Sequence, residues 1–151
     1  MCSTYQLAQI NIAQAQDSLE STTMQGFVAR LDEINTLADR SEGFVWRLQG
    51  EDGDYTSVQA YDDPRILVNM SVWRDIDTLK QFVYKSVHVE LIRDRDAWFH
   101  KMPEMHQALW WVPEGHLPSV AEGKQKLEML QAKGPSQAAF SFARSFPAPT
   151  H

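Results

Sequence analysis

His88 is the side chain in this sequence best suited to acid/base work. Its imidazole titrates nearest neutral pH and, when neutral, can also ligate a metal or haem iron. On a helix of 3.6 residues per turn, Tyr84, His88 and Arg95 fall on one stripe beside the apolar stripe of Val83, Val87 and Leu91. Groups on that border project into a partly apolar cavity. There His88 could take a proton from carbon next to a carbonyl, Tyr84 could donate to the resulting oxyanion, and Arg95 could hold a carboxylate or enolate. The same spacing also suits plain packing at a helix margin, with Arg95 in solvent.

A second group of candidates lies on strands. Between residues 65 and 73 a period of two separates Ile66, Val68, Met70 and Val72 from Leu67, Asn69, Ser71 and Trp73. The wholly apolar face is expected beneath helices, and the face with Asn69 and Ser71 is expected to line a ligand-accessible interior. An amide there can hold a carbonyl or a dioxygen-derived oxygen, although a buried Asn satisfied by neighbouring groups is as common. Asn11 carries the same two readings. Arg47 could meet an anionic ligand, with a salt bridge to an acidic neighbour as the simpler expectation. Trp73, Trp98 and Trp110, with Trp46 and Trp111, could stack on a planar ligand or fill the core. Period two sends Trp110 and Trp111 to opposite faces, so at most one of them meets the cavity.

Other chemistry is excluded by what the residues lack. His100, His106, His116 and His151 show no metal-ligand spacing, and no phosphate-binding or dinucleotide-binding glycine pattern occurs, so neither a metal nor a nucleotide cofactor is expected. The one cysteine, Cys2, allows no intrachain disulfide. With 20 acidic against 14 basic residues the net charge is −6, a poor match to nucleic acid or anionic lipid. No window approaches the roughly 20 apolar residues of a membrane span. A cytoplasmic protein with a small-molecule partner is expected.

The elements that must position these groups follow from punctuation and period. Residues 5–12 read as a strand and residues 14–23 as a polar segment that can hold a loop and a helix start. Phe27, Leu31, Ile34, Leu37 and Ala38 then share a helical face that ends at Ser41-Glu42-Gly43, a glycine suited to a C-cap. Residues 44–49 alternate as a strand with Phe44, Trp46 and Leu48 on one face, residues 50–54 turn, and residues 55–61 can hold a short strand before the strand at 65–73. Asp75 and Asp77 cap a long helix that carries Ile76, Leu79, Val83, Val87 and Leu91 and ends near His100. Residues 107–112 form a strand, Ser119 and Glu122 a capping box, Leu127 and Leu130 a short helix closed by Gly134-Pro135, and residues 138–146 a last strand. The order β, α, β, β, α, β followed by an appended α and β predicts one α+β domain over residues 1–151. It is a ferredoxin-like antiparallel sheet with helices on one face and a C-terminal extension. A bare sheet face predicts a homodimer, sheet against sheet.

Several segments together resemble the domain-of-unknown-function family 3291. They are Leu7-Ala8-Gln9-Ile10-Asn11-Ile12-Ala13, Leu31-Asp32-Glu33-Ile34-Asn35, Gly43-Phe44-Val45-Trp46-Arg47-Leu48 and Val68-Asn69-Met70-Ser71-Val72-Trp73, then Phe82-Val83-Tyr84 with Ser86 and His88, Trp98-Phe99, Leu109-Trp110-Trp111-Val112-Pro113 and Gly115-His116. The likeness runs from about Leu7 to Phe146. Lys85 and Asp94 depart from it, where arginine is more typical, at positions that read as exposed helix. That family resembles the dimeric α+β barrel superfamily of antibiotic-biosynthesis monooxygenases, haem-degrading oxygenases and polyketide cyclases. The resemblance implies an oxygenase or cyclase without a dedicated cofactor, acting on an aromatic or polyketide-like substrate with His88 as acid/base. Its alternatives are a haem protein with His88 as axial ligand and a non-catalytic ligand-binding dimer.

Overall fold

Alternating side chains along Tyr5–Ala15 commit this segment to a strand whose two faces are both dry at its centre, with Leu7, Ala8 and Ile10 fully buried. The computed structural model describes residues 5–15, 21–48, 66–83, 99–100 and 106–148. This strand, β1, is the middle of its sheet. On one side it pairs antiparallel with β3 (Ile66–Trp73), from Leu7 opposite Trp73 to Gln14 opposite Ile66. On the other it pairs with β5 (Gln107–Pro113) along Tyr5 to Asn11, and with the two-residue β4 (Phe99–His100) at Gln14 and Ala15. β2 (Phe44–Arg47) extends the sheet beyond β3. With α1 (Gln25–Asp39) and α2 (Ile76–Val83) the order is β1-α1-β2-β3-α2-β4-β5, the ferredoxin-like α+β arrangement, followed by the appended α3 (Val120–Lys133).

The assignment of the sheet's faces requires correction. Ile34, Leu37 and Ala38 of α1 and Ile76, Leu79, Phe82 and Val83 of α2 pack on Leu7, Trp73 and Leu109. The Phe82 ring stacks on Trp73 at 5.1 Å and Phe44 meets it edge-on at 5.5 Å. The two fold helices therefore cover the face that bears Leu67, Asn69, Ser71 and Trp73, because the large indole and its neighbours offer them the deeper apolar seat. The opposite face, with Ile10, Val68, Met70 and Val72, is not bare: Leu127 and Leu130 of α3 pack on it. Each of those side chains gains about 1.5 to 3 kcal/mol on full burial, so the face needs cover, and the chain's own extension supplies it. Gly123 brings α3 close, since a Cβ there would lie 2.9 Å from both Ile10 Cδ1 and Met70 Cε.

Further departures have local causes. A bulge between Phe44 and Trp46 breaks the alternation of β2, so Phe44 joins the α1/α2 core while Trp46 and Leu48 pack with the α3 core. The helix that begins at Ile76 is described to Val83, residues 84–98 lie outside the described residues, and His100 lies in β4 opposite Gln14. Residues 138–146 do not form a strand. Phe140 exchanges one pair of backbone hydrogen bonds with Leu109, at 2.8 and 2.9 Å, and the chain then turns so that Phe142 and Phe146 pack with Phe140 over the α1/α2 side. The turn at 50–54 and the strand at 55–61 lie outside the described residues. Ser119 caps α3 as expected, its hydroxyl accepting the Glu122 N–H at 3.1 Å, and Gly134 closes the helix with φ +78°. No described helix is long and apolar enough to cross a membrane.

Gly43 does not cap α1, whose cap is Arg40, but it is constrained more severely at the β2 entrance. Its φ is +82°, its carbonyl accepts the Arg74 N–H at 2.7 Å, and a Cβ would collide with the Thr78 side chain at the start of α2. Replacement by alanine combines left-handed strain with overpacking against a side chain held at its branch point. Gly43→Ala should lower stability by about 2 to 4 kcal/mol, read from urea midpoints at unchanged denaturant slope.

Candidate functional site

Register places the polar residues of β1, β3 and β5 side by side on the face under α1 and α2. Asn11 stands between Asn69 and Gln107, Gln9 between Ser71 and Leu109, and Leu7 between Trp73 and Trp111. The patch thus grades from a row of three carboxamides, through a mixed row, to an aromatic row. Gln9, Ser71 and Trp73 are buried, at 4%, 7% and 1% exposure, whereas Asn11, Asn69 and Gln107 are half-buried.

The buried members satisfy one another, as a polar group away from water must, because each orphaned donor or acceptor costs about 1 to 3 kcal/mol. Gln9 Nε2 donates to Asn69 Oδ1 at 2.7 Å and to Ser71 Oγ at 2.9 Å. The Trp73 indole N–H donates to the same Ser71 oxygen at 2.8 Å. In the half-buried row the bonding is incomplete: among the described residues, Asn69 Nδ2 and the carboxamides of Asn11 and Gln107 have no side-chain partner. Donors and acceptors at the edge of a dry, helix-covered face are what a small polar group on a largely apolar ligand requires.

The other sequence candidates separate. Arg47 stands opposite Ser71, and its guanidinium donates from Nε to Asp39 Oδ1 of α1 at 2.8 Å, the salt bridge that was the simpler expectation. Trp110 is on the opposite face, buried at 1% exposure under α3, and its indole N–H donates to Glu122 Oε2 at 2.9 Å. The other oxygen of Glu122 meets His116 Nε2 at 2.7 Å, so this carboxylate ties the loop, α3 and β5 together. The sheet divides that cluster from the amide patch. Tyr84, His88, Arg95 and Trp98 lie outside the described residues. Among the described residues no three His, Cys, Asp or Glu side chains converge on a point that could hold a metal ion.

Gln9 and Gln107 were not singled out in the sequence. The signal that finds them is the pairing of β1 with β3 and β5, which puts both glutamines in line with the asparagines. Strand period alone does not give a register.

α2, which leads into the segment bearing Tyr84 and His88, is anchored at its start by Asp75. Burial alone would raise this carboxyl. The Thr78 backbone N–H, donating to Oδ1 at 2.9 Å, the Thr78 hydroxyl and the adjacent Arg74 outweigh burial and hold it below the usual carboxylate range.

Comparison with known proteins gives a family and a fold. The family model described as Domain of unknown function (DUF3291) matches residues 6–151. No curated protein matches the chain. Among solved structures, SnoaB, a cofactor-independent oxygenase from Streptomyces nogalater, aligns with a TM-score of 0.51 at 15% identity, covering 76% of this chain and 98% of that one. PA3566 from Pseudomonas aeruginosa aligns at 0.48 and 12%, covering 77% and 98%. Rv0793 from Mycobacterium tuberculosis aligns at 0.46 and 12%, covering 76% and 97%. At 15% identity the likeness to the Streptomyces protein is one of fold alone.

The Asp75 anchor makes a pH-dependent prediction. A carboxyl whose folded-state pKa is depressed stabilises the protein above its unfolded value, near 3.9, and loses that contribution as pH falls through the folded one. Asp75→Ala should therefore cost about 0.5 to 1 kcal/mol at neutral pH, the low end for a cap because the carboxylate is partly in water. The gap between the two proteins in urea melts should close as pH is taken below about 4.

Proposed function

The chain belongs to the family Domain of unknown function (DUF3291), and on that premise we propose that it is a small-molecule enzyme. In this reading it is an oxygenase or cyclase that needs no dedicated cofactor and acts on an aromatic or polyketide-like substrate. The observation that carries the reading is the carboxamide row of Asn69, Asn11 and Gln107, incompletely bonded at the edge of a sheet face that grades through Gln9 and Ser71 into an apolar core under two helices. The name of the Streptomyces oxygenase supports the reaction class by analogy of fold only.

In the proposed reaction His88 removes a proton from a ring carbon activated by a carbonyl, and Asn69, with Tyr84 and Arg95, stabilises the enolate oxygen. Trp73 lies two rows along the same face, buried and bonded to Ser71, rather than in the site, and Trp98 is the tryptophan proposed to stack on a planar substrate. As an oxygenase, the enolate passes electrons to dioxygen; a ring methylene becomes a carbonyl, one oxygen atom entering the product and the other leaving with the two hydrogens as water. As a cyclase, the same enolate attacks a second carbonyl of the substrate. Two copies form the working unit, and the cytoplasm is its compartment.

Oxygen uptake by the purified protein with a panel of aromatic ketones that carry an acidic methylene, with chelator and without added cofactor, tests this reading. Turnover should fall by about 10²- to 10³-fold in Asn69→Ala and His88→Ala, with the urea midpoint near wild type in His88→Ala and lowered in Asn69→Ala, which leaves a buried Gln9 N–H without its acceptor. A large stability loss in His88→Ala with turnover unchanged would remove His88 from the chemistry. A Soret shift on adding haemin, lost in His88→Ala, would replace this reading with haem binding.

A further inference from the structure

We propose that Gln9 sets the polarity of the amide patch, so that the site accepts a ligand through a proton-free oxygen, a carbonyl or an enolate, and discriminates against a neutral hydroxyl. The proposal rests on the reading of the Asn69 row as the substrate site and deepens it. The argument is one of donor and acceptor inventory. The carboxamide of Gln9 has two N–H hydrogens, and Nε2 directs one at Asn69 Oδ1, at 2.7 Å, and the other at Ser71 Oγ, at 2.9 Å. Ser71 Oγ also receives the Trp73 indole hydrogen at 2.8 Å, and an indole N–H can only donate. Two donors fill the two lone pairs of the serine oxygen, leaving its hydroxyl hydrogen to be given away. Asn69, with its oxygen engaged by Gln9, is left with Nδ2 and two hydrogens for the half-buried side. What this end of the patch offers is therefore donors, and a ligand that meets it must bring lone pairs.

The alternative wiring is the mirror image. Had Gln9 presented Oε1 to its two neighbours, it would accept from Asn69 Nδ2 and from the Ser71 hydroxyl, and Asn69 would offer Oδ1 to the ligand, which would then have to carry a proton. Gln9 touches no substrate in either case; it is a positioning residue acting through Asn69. In the first wiring the site stabilises the negative oxygen that deprotonation creates, whereas in the second it would oppose it.

Gln9→Glu separates the two, because a carboxylate of the same shape accepts only. The probe is 4-nitro-1-naphthol, whose colour reports the ionised fraction of the bound dye, titrated into the full chain. Wild type should bind the naphtholate about tenfold or more tightly than the naphthol, as a donor site for a charged oxygen should. Gln9→Glu should lose that preference or invert it, and Gln9→Leu, which leaves Asn69 free to turn, should fall between. An unchanged preference in Gln9→Glu, with binding still abolished by Asn69→Ala, overturns the proposal and leaves the site reading intact. No binding, or binding indifferent to Asn69→Ala, removes the site reading and the proposal together. Side-chain amide exchange by NMR in the unmodified protein needs no variant to fold: the Gln9 Nε2 hydrogens should exchange more slowly than those of Asn69 Nδ2, and the reverse order would refute the wiring.

Discussion

Everything in this protein depends on the register of β1 against β3. The two strands are joined from Leu7 opposite Trp73 to Gln14 opposite Ile66, and both are buried on two faces. A slip of one residue would turn β1 over relative to β3, taking Gln9 to the side where α3 packs and setting Ile10 beside Asn69 and Ser71. The register is held by shape on one face and by polarity on the other. Trp73 is locked between Phe44, Phe82 and the Ser71 hydroxyl, while Gln9 binds two residues of the neighbouring strand at once. The interactions that keep the fold in register are thus the ones that shape the candidate site.

Covering both faces changes what a second copy would have to do. A sheet with helices on one side only invites a partner onto the other, and that was the physical ground for expecting a dimer. Here α3 occupies that side, with Gly123 close against Ile10 and Met70 and Leu127 and Leu130 in the core. A dimer must then add to a covered face, use the sheet's edges, or exchange α3 between copies. The carboxamide row lies on the other side of the sheet, beneath α1 and α2, and the described part of the site is drawn from a single chain.

The sequence showed the elements more clearly than their arrangement. Strand and helix periods identified β1, α1, β3, α2, β5 and α3 because each carries its own apolar pattern, and the Ser119–Glu122 cap is a local signature with a local cause. Period two alone misassigns the faces, because Ile66, Val68, Met70 and Val72 look more apolar than Leu67, Asn69, Ser71 and Trp73, whereas the seat for α1 and α2 is completed by Leu7, Leu109 and Phe140 from elsewhere in the chain. The bulge in β2 exchanged Trp46 for Arg47 on the α1/α2 face, and a bulge leaves no mark on a four-residue strand. Asn69 and Asn11 were legible as polar residues in apolar strands. Gln9 was not, since its importance lies in partners 60 and 62 residues away that only the pairing reveals.

The close seating of α3 has a mechanical consequence. Gly123 follows Glu122, the carboxylate that holds Trp110 and His116, and Trp110 is flanked on β5 by Leu109 and Trp111, whose side chains lie on the amide face. The spacing between helix and sheet is therefore set by an absent methyl group, and the carboxylate beside it works as a pivot pin. Pushing the helix outward at that glycine would stretch a 2.9 Å bond to the indole and pull on the strand whose alternate residues floor the far side. The position of α3 thus bears, through one indole, on the strand whose alternate residues Leu109 and Trp111 lie on the amide face.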